Sequence, residues 1–181
     1  GVSLLLSYSA QLFFGAAPKG FPELLDNRTI ALPGEALVTM EQIVVLGVTA
    51  LLLVALRFIV QKTRMGMAMR ALSNNATAAS LMGVDTNRVI SFTFALGSAL
   101  AAAAGIFFAM LYQAIDPFMG ILPGIKAFVA AVLGGIGNIT GAALGGVLIG
   151  LIETLVTGYS QDIGIPSGYR DAVAFLLLII I

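Results

Sequence analysis

Apolar and polar positions alternate along this chain in long blocks, and the blocks are of membrane-spanning length. Ile43 to Val60 (IVVLGVTALLLVALRFIV) and Val89 to Tyr112 (VISFTFALGSALAAAAGIFFAMLY) are almost wholly apolar. Each approaches or exceeds the roughly 20 residues that a helix needs to cross a hydrocarbon core. Between them lies the one long polar stretch, Gln61 to Arg88 (QKTRMGMAMRALSNNATAASLMGVDTNR). A third apolar region, Ile125 to Gly150, is interrupted: runs of about 126–136 and 142–157 flank Gly137-Asn138-Ile139-Thr140-Gly141. Each glycine in a helix interior costs about 1 kcal/mol relative to alanine. The pattern therefore predicts two short or tilted helices joined by a tight turn, over 121–137 and 141–157.

The ends of the chain fit incomplete spans. Gly1 to Gly15 is apolar but short, and it lacks the basic leader of a signal peptide, so the expectation is the end of an earlier span. The last run, 172–181, is expected to be a truncated helix. Connections carry the breakers. Residues 16–42 hold Pro18, Gly20, Pro22, Pro33 and Gly34 together with Glu23, Asp26, Glu35 and Glu41, which outnumber Lys19 and Arg28. In 113–124, Asp116-Pro117 marks a turn and Pro123 argues against a continuous helix. Inside the polar stretch, Met65 to Met82 is rich in good helix formers and precedes Gly83, so one short amphipathic helix ending near Gly83 is expected. Met69, Leu72, Ala76, Ala79 and Leu81 or Met82 would share its apolar face.

Composition and charge turn this pattern into a class and a topology. Apolar residues make up 59% and charged residues 10% of the chain, and the mean hydropathy is +1.04. Soluble domains carry about a quarter charged residues, so this is an all-α integral membrane protein, a polytopic helical bundle. Net charge is zero, yet the polar stretch holds Lys62, Arg64, Arg70 and Arg88 against one acid, Asp85. Basic loops close to membrane ends stay inside, which places 61–88 in the cytosol and the acidic 16–42 outside. Arg57 then falls in the last turn of its span, where its long side chain can reach the headgroups. Gly97, Ala101 and Gly105 share one face of the next span and suit close helix packing.

The same residues limit the chemistry. Cysteine and histidine are both absent, which removes thiolate and imidazole ligands and the commonest general base. No phosphate-cradling pattern occurs, and GGIGNITG matches neither the P-loop nor the dinucleotide-binding spacing. Neither enzyme activity, a cofactor nor a nucleic-acid partner is expected. Three N-x-[ST] triplets, at Asn27, Asn75 and Asn138, carry no argument here. Glu153, inside an apolar run with no basic residue nearby in sequence, is either part of a pathway or contact, or solvated near the outer headgroups. Glycine-broken segments at membrane depth border substrate paths in transporters, so Gly134, Gly135, Gly137, Asn138, Gly141 and Glu153 are the candidate translocation or helix-break residues.

Two blocks of residues carry a resemblance. Arg64-Met65-Gly66, Met69-Arg70-Ala71, Asn75, Ala78-Ala79, Leu81-Met82-Gly83-Val84 and Asn87-Arg88-Val89-Ile90 form the first. Ala103-Ala104-Gly105, Asp116-Pro117 with Gly120, Lys126-Ala127-Phe128 and Ala131-Val132-Leu133-Gly134-Gly135-Ile136-Gly137-Asn138 with Gly141-Ala142 form the second. Together they resemble the inner-membrane permeases of branched-chain amino acid ABC importers, over 1–181 as a partial permease domain. That resemblance implies a subunit moving leucine, isoleucine or valine, multi-pass in the inner membrane, lacking the first helices and the C-terminal tail. It implies ATPase subunits, a second permease subunit and an extracytoplasmic binding protein as partners, beside the small-molecule substrate and membrane lipid. ATP would be hydrolysed by the partner, and the ATPase-coupling loop would be Arg70, Ala71, Asn75, Ala79, Gly83, Val84 and Arg88. A monosaccharide permease is the alternative within this architecture, and an ion-coupled secondary transporter built around Glu153 is a further one.

Overall fold

A computed structural model describes residues 1–22, 29–31 and 37–159 of the chain. The expected last helix, 172–181, lies outside the described residues, as do most of the acids of the 16–42 loop. Among the described residues seven helices run in order: α1 (Val2–Phe14), α2 (Met40–Lys62), α3 (Arg64–Asn74), α4 (Ala76–Leu81), α5 (Thr86–Tyr112), α6 (Ile121–Leu133) and α7 (Ile139–Gly158). Two short antiparallel pairs accompany them, β1 (Lys19–Gly20) with β4 (Ala114–Ile115) and β2 (Thr29–Ala31) with β3 (Leu37–Thr39). Among the described residues α2, α5 and α7 are long and apolar enough to cross a membrane. On α2, Leu46, Leu51, Val54 and Phe58 are exposed side chains, suited to lipid or to another helix rather than to water.

The chain divides into two compact units, Gln11–Asp116 and Gly1–Ala10 with the segment from Pro117 onward. In the first, α2 and α5 frame the polar stretch. Thr39 opens α2, its N–H donating to Gln42 Oε1 at 3.2 Å. Glu41, expected in the outer loop, belongs instead to the first turn of α2 and is buried, a position where a carboxylate faces the positive end of the helix dipole. Because α2 runs on to Lys62, Arg57 is not in its last turn. Its Nε lies 3.4 Å from Gln61 Oε1, one turn further on. At the far end of α5, Gln113 adopts a left-handed conformation (φ 51°) and its carbonyl accepts the Phe21 N–H at 3.0 Å, beside the β1–β4 pair. The segments on either side of the two spans are thereby tied to each other.

The second unit is built on the α6–α7 hairpin. Val129, Ala130 and Ile149 are its buried core, with Ile125 packed against them. Pro123, counted with Pro117 among the breakers of 113–124, lies in the first turn of α6, within the span expected over 121–137. Its missing N–H is harmless there, since the first N–H groups of a helix have no intrahelical acceptor. The small-residue face of α5 makes no such packing at Gly97, where a Cβ would meet no atom within 4 Å.

Candidate functional site

Two places in the structure hold the residues singled out by sequence, one in each unit. The first is the polar stretch, which is a jointed pair of helices rather than one. Thr63 closes α2 and opens α3: its hydroxyl accepts the Gly66 N–H at 3.1 Å while donating to the Ile59 carbonyl. Asn75 repeats the device at the next corner. Its backbone is extended (φ −155°, ψ 102°), its N–H reaches back to Ala71 O at 3.1 Å, and its Oδ1 accepts the Ala78 N–H at 2.9 Å. The continuous helix expected over 65–82 is therefore broken at Asn75. Asparagine competes for the backbone with its own side chain, and here that competition wins over the helix-forming neighbours.

The break changes which side chains face out. Ala79 is buried, but Leu81 and Met82 are 82% and 86% exposed, so the single apolar face expected from Met69 to Met82 does not exist. What exists is an apolar tip at the end of α4. The chain turns there on Gly83 (φ +85°), with Gly83 N–H to Ser80 O at 3.0 Å and Val84 N–H to Ala79 O at 3.1 Å, the paired bonds of a Schellman ending. Asp85 then caps α5 through the Arg88 N–H at 3.1 Å. Its ion pair with Arg88 is 3.8 Å long and exposed on both sides, so it adds little. Arg70 is exposed and its Nη2 donates to the Gln61 carbonyl at 3.3 Å, a cation placed against the C-terminal end of α2. Ala71 lies on the same α3. Arg70, Ala71, Asn75, Ala79, Gly83, Val84 and Arg88 thus lie along one continuous capped segment, in which Gly66, not among them, makes the tightest approach. A Cβ on Gly66 would fall on the carbonyls of Ile59 and Val60.

The second place is the hairpin. The turn is formed by Gly134 to Asn138, with Gly135 (φ +88°) and Gly137 (φ +93°) in conformations that only glycine adopts freely. Asn138 caps α7, its Oδ1 accepting from the Gly141 N–H (3.1 Å) and from the Thr140 hydroxyl (2.8 Å). Gly141 is therefore in the first turn of α7 and not in the break itself. Gly134 and Gly141 touch backbone to backbone, and a Cβ on Gly145 would meet the Ala130 carbonyl. The glycines serve two purposes: Gly135 and Gly137 turn the chain, whereas Gly134, Gly141 and Gly145 let the helices cross closely.

Glu153 is not brought to the glycine turn. It lies twelve positions beyond Gly141 on α7, about 18 Å at 1.5 Å per residue. It is 5% exposed, and Lys126 Nζ lies 2.9 Å from its Oε1. Sequence reasoning missed this partner because it sits 27 positions earlier, on the facing helix. A helical hairpin hinged at residues 134–138 sets Lys126 against the far end of α7, and the one lysine of α6 was the sign available. The hydroxyls of Thr154 and Thr157 are answered within α7, by the carbonyls of Gly150 (2.8 Å) and Glu153 (2.7 Å).

Residues 4–181 match the family model described as "Branched-chain amino acid transport system / permease component". The chain belongs to this family. It is 39% identical, over all of its length, to the high-affinity branched-chain amino acid transport system permease protein LivH of Salmonella typhimurium, and 38% identical to BraD of Pseudomonas aeruginosa. It spans 58% of the length of each of these relatives. Over 72% of the chain it is 33% identical to the autoinducer 2 import system permease protein LsrC of Yersinia pestis, covering 38% of that protein. No solved structure matches the chain. Family and helices together make it a multi-pass protein of the inner-membrane permease type.

Proposed function

We propose that the protein of which this chain is part is a permease subunit of an ATP-driven importer for branched-chain amino acids. The observation that carries the reading is the likeness, over all of this chain and 58% of theirs, to LivH and BraD, whose names give that cargo. Segment 61–88 supplies the mechanical part. On this reading it lies in the cytosol and rests on an ATPase subunit through the exposed Leu81–Met82 tip, an apolar projection suited to a groove on a folded partner. Closure of the ATPase pair would push on α4 and α3. The corners at Thr63 and Asn75 are capped on both sides, so the push reaches α2 and α5 without being absorbed by slack loop. Cargo biases the two states only by its different affinity for them, and the energy enters with ATP at the partner. A second permease subunit and an extracytoplasmic binding protein complete the assembly.

The test is uptake by the full-length protein with its co-expressed partners in proteoliposomes. Labelled leucine is expected to accumulate only with ATP inside the ATPase compartment and binding protein on the other side, and labelled ribose is not. Accumulation of ribose without leucine, or ATP-independent uptake driven by a pH gradient, would overturn the reading. Within the same preparation, Gly83→Val is expected to leave insertion intact and to uncouple ATP hydrolysis from uptake. A β-branched residue at φ +85° costs at least about 1–2 kcal/mol, and the Schellman ending that aims the tip would give way. Gly83→Asn, which tolerates that conformation, should retain most transport. Unchanged transport in Gly83→Val removes the coupling role.

A further inference from the structure

Lys126 and Glu153 are an ion pair set into an otherwise apolar crossing. The seam between α6 and α7 is made by Ile125, Val129, Ala130 and Ile149, and its close approach is already secured by Gly134, Gly141 and Gly145. The pair lies toward the open end of the hairpin but not in the terminal turns of its helices. Lys126 is the sixth residue of α6 and Glu153 the sixth from the end of α7, which places each about 7.5 Å inside its helix. Desolvating two charges offsets most of their attraction, and a well-packed apolar pair in such a place is commonly as stable or more so. Packing therefore does not account for the pair, and ionisable groups inside membrane helices mark sites.

We propose that Lys126 and Glu153 recognise the two charged ends of a zwitterionic amino acid cargo, a proposal that rests on the function proposed above. A free amino acid carries an ammonium and a carboxylate on neighbouring atoms. Two side chains that already lie 2.9 Å apart can answer both at once, lysine taking the carboxylate and glutamate the ammonium. One ion pair becomes two, the site and the cargo are each neutral overall, and no net charge is added to a low-dielectric region. The two side chains differ in exposure, 25% for Lys126 and 6% for Glu153, so cargo would approach from the lysine side with the carboxylate leading. A neutral sugar gains nothing from this arrangement.

The experiment uses the full-length permease with its partners in proteoliposomes and compares wild type with the neutral double variant Lys126→Met/Glu153→Gln. Expected is a fall in labelled-leucine uptake of at least about tenfold, for loss of two charge-assisted contacts, with ATPase stimulation by leucine-loaded binding protein kept within about twofold. Uptake within about twofold of wild type overturns the proposal, and so does a parallel loss of uptake and stimulated ATPase, which would make the pair a structural pin. A second measurement needs no variant. Binding of labelled leucine to the wild-type protein should be displaced by millimolar unlabelled leucine, but not by millimolar 4-methylpentanoate or 3-methylbutylamine, each lacking one charge. Equal displacement by either, or no binding of labelled leucine, overturns the proposal. If wild type takes up no leucine at all, the functional reading itself has failed, and the recognition proposal falls with it.

Discussion

Gly141→Val is expected to prevent the α6–α7 hairpin from closing and to remove most of the protein from the membrane fraction. The reason lies in the backbone. A Cβ at Gly141 would coincide with the carbonyl of Gly134 and press on Asn138 Nδ2, the side chain that caps the same helix. Overpacking against a side chain costs about 1–3 kcal/mol because the side chain can move, and a clash with the facing main chain of Gly134 should reach about 3 kcal/mol or more. Relief would require the helices to separate, exposing Val129, Ala130 and Ile149. Gly146→Ala is the matched control: its Cβ would meet only Ala130 Cβ, at 3.9 Å, an ordinary contact. Membrane-fraction yield and thermal aggregation of the purified full-length variants check the pair. Wild-type behaviour of Gly141→Val would mean that the crossing is looser than the structure gives.

Gly66→Val is expected to act on the other unit and to show a different defect. Here the obstacle is the last turn of α2, whose Ile59 and Val60 carbonyls occupy the place a side chain would need. The Ile59 carbonyl also receives the Thr63 hydroxyl, so the substitution attacks the corner that joins α2 to α3. Neither span depends on that corner for its hydrophobicity, and insertion should persist. Stimulated ATPase and uptake should both fall by about tenfold or more, a loss of at least 1.4 kcal/mol at one joint. Gly47→Ala, in the open middle of α2 where a Cβ meets nothing within 4 Å, should be neutral or slightly stabilising. Retention of full coupling in Gly66→Val would show that α3 need not rest on α2.

Much of this architecture could be read from the order of residues because membrane helices announce themselves by length and apolarity. The runs within α2 and α5 needed only a count, and the glycine turn followed from the cost of glycine in a helix. What escaped was decided by single side chains acting on backbone. Asn75 carries a helix-ending conformation that propensity alone does not foresee, since its neighbours Ala71, Ala76 and Ala78 all favour continuation. Pro123 reads as a breaker of the 113–124 connection, yet a proline in a first helical turn forfeits no bond. Glu153 looked unpartnered because partnership across a hairpin depends on where the hairpin turns, and a shift of a few residues at 134–138 would put a different residue opposite it. Of the candidates for a translocation path or helix break, Gly135, Gly137 and Asn138 form the break, Gly134 and Gly141 meet backbone to backbone across it, and Glu153 pairs with Lys126 nearer the hairpin's open end.

The corners at Thr63 and Asn75 have a further consequence for how force can move through segment 61–88. Each is a single residue that ends one helix and begins the next, with hydrogen bonds to both. Between α2, α3 and α4 there is accordingly no length of free chain, only the φ and ψ of two residues. Such a linkage behaves as three stiff rods on two pins: it can swing, but it cannot stretch, and a displacement at the Leu81–Met82 tip must reappear as rotation at a pin or as movement of the span beyond it.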